Sequence, residues 1–134
     1  MNKQILIVDD EVQILALLSI HFRRSGFDVL KAENAIAALS VLESTTPDLM
    51  IVDVMMPGMD GIEFCKHIRS RPETSETPVV LFSARFDTRT VRRGFEAGAN
   101  EYITKLTPHV ELLARVRSML GPHSARSDAE QRVG

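Results

Sequence analysis

Short, continuous apolar runs that alternate with helix-like stretches constrain the fold of this chain most strongly. The clearest runs are Ile-Leu-Ile-Val at 5–8, Leu-Met-Ile-Val at 49–52 and Val-Val-Leu-Phe at 79–82. Polar or turn residues flank each run, and this pattern is typical of strands that are covered on both faces. Residues 27–30 and 101–104 are weaker strand candidates.

Helix-like stretches follow these runs. The first has apolar side chains at helical spacing over residues 12–22, and Gly26 lies beyond it as a C-cap. The other predicted helices cover residues 35–43, 62–69, 88–97 and 108–120. In the second helix we expect Ile36, Leu39 and Leu42 to face the core.

The alternation of strands and helices predicts an α/β fold. Its expected form is a doubly wound, five-stranded parallel sheet with helices on both faces. The length of 134 residues fits one domain, which we place at residues 1–120. Residues 121–134 are mostly polar and without a regular apolar pattern, so we expect a flexible tail or linker there.

Composition and charge argue against several classes of protein. The net charge of -2 creates no overall field that would attract nucleic acid or an anionic membrane. Cys65 is the single cysteine, which excludes an internal disulfide and a zinc site built from cysteines. The apolar runs are too short to cross a bilayer. We therefore predict a cytoplasmic protein that does not contact membranes.

The residues that follow the predicted strands carry the chemistry. Ligands of open α/β sheets bind outside the carboxyl ends of the strands. Asp9 and Asp10 follow the first strand and Asp53 follows the third. Ser83 and Lys105 follow the fourth and fifth. We expect these carboxylates, hydroxyl and ammonium to meet at one edge of the sheet.

Such a group of carboxylates needs a counter-charge. Two like charges at about 4 Å repel by about 4 kcal/mol at an effective dielectric constant of about 20. Mg²⁺ prefers hard oxygen ligands of this kind. The alternative is that Asp9 or Asp10 only caps the first helix and that Asp53 only forms a turn. Ser83 and Lys105 taken singly also fit ordinary turn and surface roles.

Four motifs extend this local interpretation to a family. They occupy residues 5–11, 48–61, 78–84 and 98–105. Together they make the chain resemble the receiver domain of two-component response regulators, from residue 3 to about residue 120. The resemblance implies a flavodoxin-like sheet with the strand order 2-1-3-4-5. It also implies a signalling switch that catalyses only its own phosphorylation and dephosphorylation.

The resemblance assigns roles to the acidic residues. Asp53 would accept a phosphoryl group from a histidine kinase or a phosphotransfer protein. Asp10 would bind Mg²⁺ (or Mn²⁺) directly, and Asp9 would act mostly through water. Asp53 and the backbone carbonyl of Met55 would complete the protein ligands.

The resemblance also implies how the signal spreads. Lys105 would pair with a phosphoryl oxygen, and the Ser83 hydroxyl would move to bind another. Tyr102 would change rotamer with Ser83 and alter the surface formed by helix 4, strand 5 and helix 5. This surface is a candidate contact for an output domain, a partner protein or a second copy in a homodimer. The domain itself is not expected to bind nucleic acid.

One position departs from the family pattern. The family usually has a proline after the lysine, with a cis peptide bond between them, whereas Leu106 follows Lys105 here. A cis bond before a residue other than proline costs about 3–4 kcal/mol. We therefore expect either a strained cis bond or a trans bond with a reshaped loop. Either would misplace the Lys105 ammonium.

Other interpretations of the sequence remain open. A degenerate receiver that serves only for docking or dimerisation would keep the fold without phosphorylation. A flavodoxin-like cofactor binder would need a phosphate-binding loop rich in glycine, and the sequence contains none. A histidine-based enzyme is disfavoured because no two histidines form an i, i+4 pair beside an acid; they are His21, His67, His109 and His123.

Overall fold

A computed structural model describes residues 2–121 of the chain. The strands are β1 (Gln4–Val8), β2 (Asp28–Ala32), β3 (Leu49–Val52), β4 (Val79–Ser83) and β5 (Glu101–Thr104). The helices are α1 (Val12–Arg24), α2 (Ala35–Leu42), α3 (Gly61–Arg69), α4 (Thr88–Glu96) and α5 (His109–Leu120). A single 3₁₀ turn within the described range, Pro72–Thr74, connects α3 to β4.

The strands form one parallel sheet in the order β2-β1-β3-β4-β5. This order confirms the predicted flavodoxin-like arrangement. The chain passes from β2 across β1 to reach β3, where Ile5 pairs with Leu49. The loops after β1 and β3 therefore diverge and leave a crevice at the carboxyl ends of these two strands.

Alternating residues of the buried strands supply two separate cores. One core contains Leu6 and Val8 of β1 and is covered by α2, α3 and α4. The other contains Ile5 and Ile7 and is covered by α1 and α5. Because successive strand residues point to opposite faces, a four-residue apolar run serves both cores at once.

Side-chain caps fix the start of three helices. Asn34 accepts a hydrogen bond from the amide of Ala37 at the start of α2. Asp60 and Glu63 form a capping box on α3, and Asp87 caps α4. The N-cap of α1 is Glu11, which makes no side-chain cap bond. Asp9 Oδ1 accepts a hydrogen bond from the amide of Glu11 at 2.8 Å just before the helix, so neither Asp9 nor Asp10 is itself the N-cap residue.

The structure corrects the predicted inner face of α2. Ile36 is 70% exposed, whereas Ala35, Ala38 and Leu42 are buried. Leu42 is buried as predicted, but in the first part of the helix the alanines one position before Ile36 and Leu39 face the core instead. Leu39 is only partly buried against the core.

Two further predictions concern the ends and the surroundings of the chain. The predicted tail at 121–134 lies outside the described residues, apart from Gly121. Among residues 2–121, no helix is both long enough and apolar enough to span a bilayer. The predicted domain boundary at residue 120 and the cytoplasmic location stay predictions.

Candidate functional site

Three aspartates meet where β1 and β3 end. Asp9, Asp10 and Asp53 each direct a carboxylate oxygen to one place, and these oxygens lie within 4.8 Å of one another. Asp9 is 2% exposed and Asp53 is 3% exposed, while Asp10 is open to solvent. The predicted convergence of the strand ends therefore holds for the acidic residues.

Lys105 lies against the two buried carboxylates. Its Nζ atom is 2.9 Å from Oδ2 of Asp9 and 3.1 Å from Oδ2 of Asp53. A third contact joins this ammonium to the carboxylate of Glu11, for which the sequence suggested no separate role. Lys105 is held in place because its amide donates to the carbonyl of Ser83 at 2.9 Å.

This position of Lys105 corrects the expectation drawn from Leu106. The described residues contain no cis peptide bond, and the ammonium nevertheless reaches Asp53. Leu106 is 90% exposed, and its amide donates to the Thr104 side chain at 3.3 Å. The loop after β5 thus accommodates leucine by a turn at the surface. The predicted misplacement of the lysine is wrong.

Burial dominates the electrostatics of the cluster. Burial and, to a smaller extent, the neighbouring charge of Asp9 raise the pKa of Asp53, Lys105 and the Met55 amide lower it, and the net result is a pKa of about 6. Burial also raises the pKa of Asp9. For Lys105, burial favours the neutral form, but bonds to Glu11 and Asp9 outweigh it and raise the pKa. One ammonium is thus shared among several acids, and the cluster retains excess negative charge.

The loop after β3 holds Asp53 rigidly. Its amide donates to the carbonyl of Val8 at 2.9 Å, and its Oδ1 accepts from the amide of Met55 at 3.2 Å. Gly61, the first residue of α3, packs directly on this segment. A Cβ atom on Gly61 would lie 2.2 Å from the carbonyl oxygen of Asp53. A glycine is therefore required where the helix meets the loop.

Ser83 and Tyr102 meet at the β4–α4 loop. Ser83 is fully buried at the end of β4, and its Oγ accepts from the amide of Arg85 at 3.1 Å. The Tyr102 hydroxyl donates to the backbone carbonyl of Arg85, and its ring lies 5.7 Å from that of Phe86. Burial raises the pKa of Tyr102, which keeps its hydroxyl protonated as a donor. The two predicted switch residues thus share one backbone segment.

The oxygen donors suit a small hard cation. Ligand oxygens of a single Mg²⁺ ion at about 2.1 Å lie about 3–4 Å apart. The carboxylates of Asp9, Asp10 and Asp53 need only small side-chain adjustments to meet this requirement. Such a cation would offset the repulsion among these carboxylates. The residues present therefore fit a divalent metal site.

Comparison with known proteins points to one family. The model for the response regulator receiver domain matches residues 5–117. The chain belongs to the response regulator receiver domain family. Response regulators are signalling proteins of two-component systems, and the resemblance identified from the four motifs is confirmed.

Individual relatives agree with this assignment. The chain is 41% identical to the alkaline phosphatase synthesis transcriptional regulatory protein PhoP of Bacillus subtilis (strain 168), over 90% of this chain and 49% of PhoP. A putative response regulator from Chloroflexus aurantiacus J-10-fl has a TM-score of 0.85 and 36% identity, over 90% and 98% of the two chains. The BeF3-activated DrrB receiver domain has a TM-score of 0.79 and 35% identity, also over 90% and 98%. This chain spans about half the length of PhoP and of the other curated relatives it matches.

Proposed function

We propose that this receiver domain accepts a phosphoryl group on Asp53 in a reaction that depends on Mg²⁺ or Mn²⁺. The observation that carries the proposal is the buried Asp53 carboxylate between an acidic pair and the Lys105 ammonium. The donor would be the phosphohistidine of a histidine kinase or of a phosphotransfer protein. The identity of the donor rests on membership of the family.

Each residue of the cluster would have its own role in phosphoryl transfer. A carboxylate oxygen of Asp53 attacks phosphorus as the bond to the histidine nitrogen breaks, and an aspartyl phosphate forms. Asp10, Asp9, Asp53 and the carbonyl of Met55 would hold the metal ion. When bound, the ion would neutralise charge on the transferred group. Lys105 would exchange its contact with Asp53 for one with a phosphoryl oxygen.

The β4–α4 loop would transmit the change. Ser83 now accepts a hydrogen bond from the amide of Arg85, and Tyr102 donates one to the carbonyl of the same residue. If the Ser83 hydroxyl turns toward a phosphoryl oxygen, the Arg85 backbone loses this partner. Tyr102 and the start of α4 would respond, and so would the α4–β5–α5 surface.

The partners of this surface follow from the family. PhoP is named as a transcriptional regulator, and about half of its length lies outside the match. We infer that phosphorylation controls an output domain, a partner protein or a homodimer through α4, β5 and α5. Residues 121–134 would act as a linker. The alternative of a docking-only receiver is weakened, because Lys105 is in reach of Asp53.

Phospholabelling tests the proposal directly. The wild-type chain is incubated with labelled acetyl phosphate, with Mg²⁺ or with EDTA, beside Asp53→Asn and the control Asp28→Asn. Asp28 is exposed at the start of β2 and lies outside the acidic cluster. We expect label on the wild type and on Asp28→Asn in Mg²⁺ only. Equal labelling of Asp53→Asn, or no labelling of the wild type, would contradict the proposal.

A further inference from the structure

Two histidines from different helices lie side by side on the face covered by α1 and α5. His21 belongs to the last third of α1, and His109 is the first residue of α5. Their ring centroids are 6.0 Å apart, and the ring planes are inclined by 49°. Sequence spacing could not predict this pair, because the two residues are brought together only by the packing of the helices.

One nitrogen of this pair lacks a partner. The Nε2 atom of His21 is buried and has no hydrogen-bond partner in the described part of the chain. An unsatisfied buried polar group costs about 1–3 kcal/mol, and most such groups in native proteins have a partner. The ring of the neighbouring Phe22 lies 6.0 Å away and nearly perpendicular to the imidazole. This ring nitrogen is therefore available to bind a ligand.

The surroundings of His109 favour the neutral imidazole, which can bind a metal ion. Burial lowers the pKa of His109, and the proximity of His21 lowers it further. The imidazole of His109 is therefore neutral at pH 7, and the neutral ring is the form that binds metal ions. Both residues are half-buried, but Nε2 of His21 is itself buried, so an ion from solvent reaches this nitrogen only after the rings rotate.

The helices that carry the pair are held firmly. Phe22 of α1 and Leu112 of α5 are fully buried in the same core. At the other end of the interface, Nη2 of Arg117 donates to the carbonyl of Ser25 at 3.0 Å. Metal binding therefore requires only rotation of the two imidazole rings, while the backbone stays in place.

We propose that His21 and His109 form a binding site for one late-transition divalent cation, with water in the remaining coordination positions. Imidazole nitrogen suits Zn²⁺, Cu²⁺ and Ni²⁺ rather than Mg²⁺. With Zn–N bonds of about 2.0–2.1 Å and tetrahedral angles, two rings that share one ion have centroids about 5 Å apart. The observed distance is 6.0 Å, so the two rings must approach each other by about 1 Å through rotation of their side chains. The site is independent of the proposed phosphoryl transfer.

Binding at this site would tie α1 to α5. A ligand that binds only the folded state stabilises it by mass action. Because α5 is part of the surface proposed to switch, the ion would also restrain that surface. The buried thiol of Cys65 lies in the other core, so it does not compete for the ion.

Calorimetric titration of the full chain with ZnCl₂ tests the site. The buffer contains excess Mg²⁺, which competes with Zn²⁺ for the acidic cluster. We expect one Zn²⁺ per chain, with affinity reduced by about tenfold or more in His21→Gln and in His109→Gln. The matched control is His67→Gln, because His67 is exposed on α3. Equal Zn²⁺ affinity in wild type and in both test variants would overturn the proposal.

A second measurement does not depend on the variants being folded. In the proton NMR spectrum of the wild type, less than one equivalent of Zn²⁺ should shift or broaden the imidazole C2–H signals of His21 and His109. The signal of His67 should stay unchanged. If the signals of His21 and His109 do not respond, or if all histidine signals respond alike, the proposed site does not exist.

Discussion

The hydroxyl of Tyr102 donates a hydrogen bond to the backbone carbonyl of Arg85. The amide of the same residue donates to Ser83 Oγ at 3.1 Å. The Arg85 side chain pairs with Asp87 at 3.0 Å, and Asp87 caps α4. A displacement of Ser83 is thus linked through one residue to Tyr102 and to the start of α4.

Tyr102→Phe should loosen this link while the acidic cluster stays intact. The variant keeps the ring contact with Phe86 but removes the bond to Arg85, at a cost of about 1 kcal/mol. We expect faster amide hydrogen exchange at residues 84–87 and unchanged phospholabelling of Asp53. Phe86→Leu is the control, because it alters ring packing and keeps the hydroxyl bond. Equal exchange in wild type and Tyr102→Phe would contradict the link.

Asp53→Asn should stabilise the metal-free protein at neutral pH. Folding raises the pKa of Asp53 from its ordinary value of 3.8 to about 6, so the folded state disfavours the ionised carboxylate. The contribution of Asp53 to the stability of the wild type should therefore fall as the pH rises from about 4 to about 6 and stay reduced above that. The gain in the variant is at most about 3 kcal/mol at pH 7 and disappears near pH 4. Lys105 stays paired with Asp9 and Glu11 in the variant.

Urea unfolding in EDTA across this pH range measures the effect. Asp28→Asn, at an exposed site, is the control and should follow the wild type at each pH. If Asp53→Asn raises the free energy of unfolding equally at pH 4 and at pH 7, the electrostatic explanation is refuted.

Arg69→Met should destabilise the fold by about 2–3 kcal/mol. Arg69 donates five hydrogen bonds from the end of α3, to Gly98 O twice, to Thr74 O, to Thr77 O and to Asn100 Oδ1. Its guanidinium thus uses all its donors on the segments that lead into β4 and β5. Asn100 Oδ1 also accepts from the amide of Val79 at 2.8 Å.

Thermal and urea unfolding compare this variant with a surface control. Arg89 is exposed on α4, so Arg89→Met should change the free energy of unfolding by no more than about 0.5 kcal/mol. A similar decrease in the free energy of unfolding in both variants would indicate a general effect of removing positive charge.

Leu106→Pro should not increase phospholabelling of Asp53. The Lys105 ammonium is already 3.1 Å from the Asp53 carboxylate. The proline that is usual in the family would therefore not bring it closer. The substitution removes the amide that donates to Thr104, which should cost about 1 kcal/mol of stability. Labelling rates with acetyl phosphate provide the measurement, with Lys105→Met as the variant expected to lose labelling. A clear gain with proline would show that the lysine is poorly placed in solution.

Much of the fold was predictable because its signals are local. The runs at 5–8, 49–52 and 79–82 all lie in strands, since only a doubly covered strand buries so many successive side chains. The convergence of Asp9, Asp10 and Asp53 followed from the parallel direction of the strands. The roles of these residues in catalysis and metal binding stay predictions.

Features that depend on packing were not predictable. Apolar spacing placed Ile36 inside, but the alanines of α2 set the depth and rotation of the helix. The position of the Lys105 ammonium depends on a turn after β5 rather than on the residue type at 106. The contact of His21 with His109 depends on how α1 lies against α5.

The contact between Gly61 and the backbone of Asp53 gives the two sides of the site unequal freedom. On one side, α3 and the β3 loop touch without space for even one methyl group, so they move as a single body. On the other side, Arg85 and Phe86 are exposed. We therefore expect strain created at the Asp53 carboxylate to relax toward α4, the side of the site that is less tightly packed.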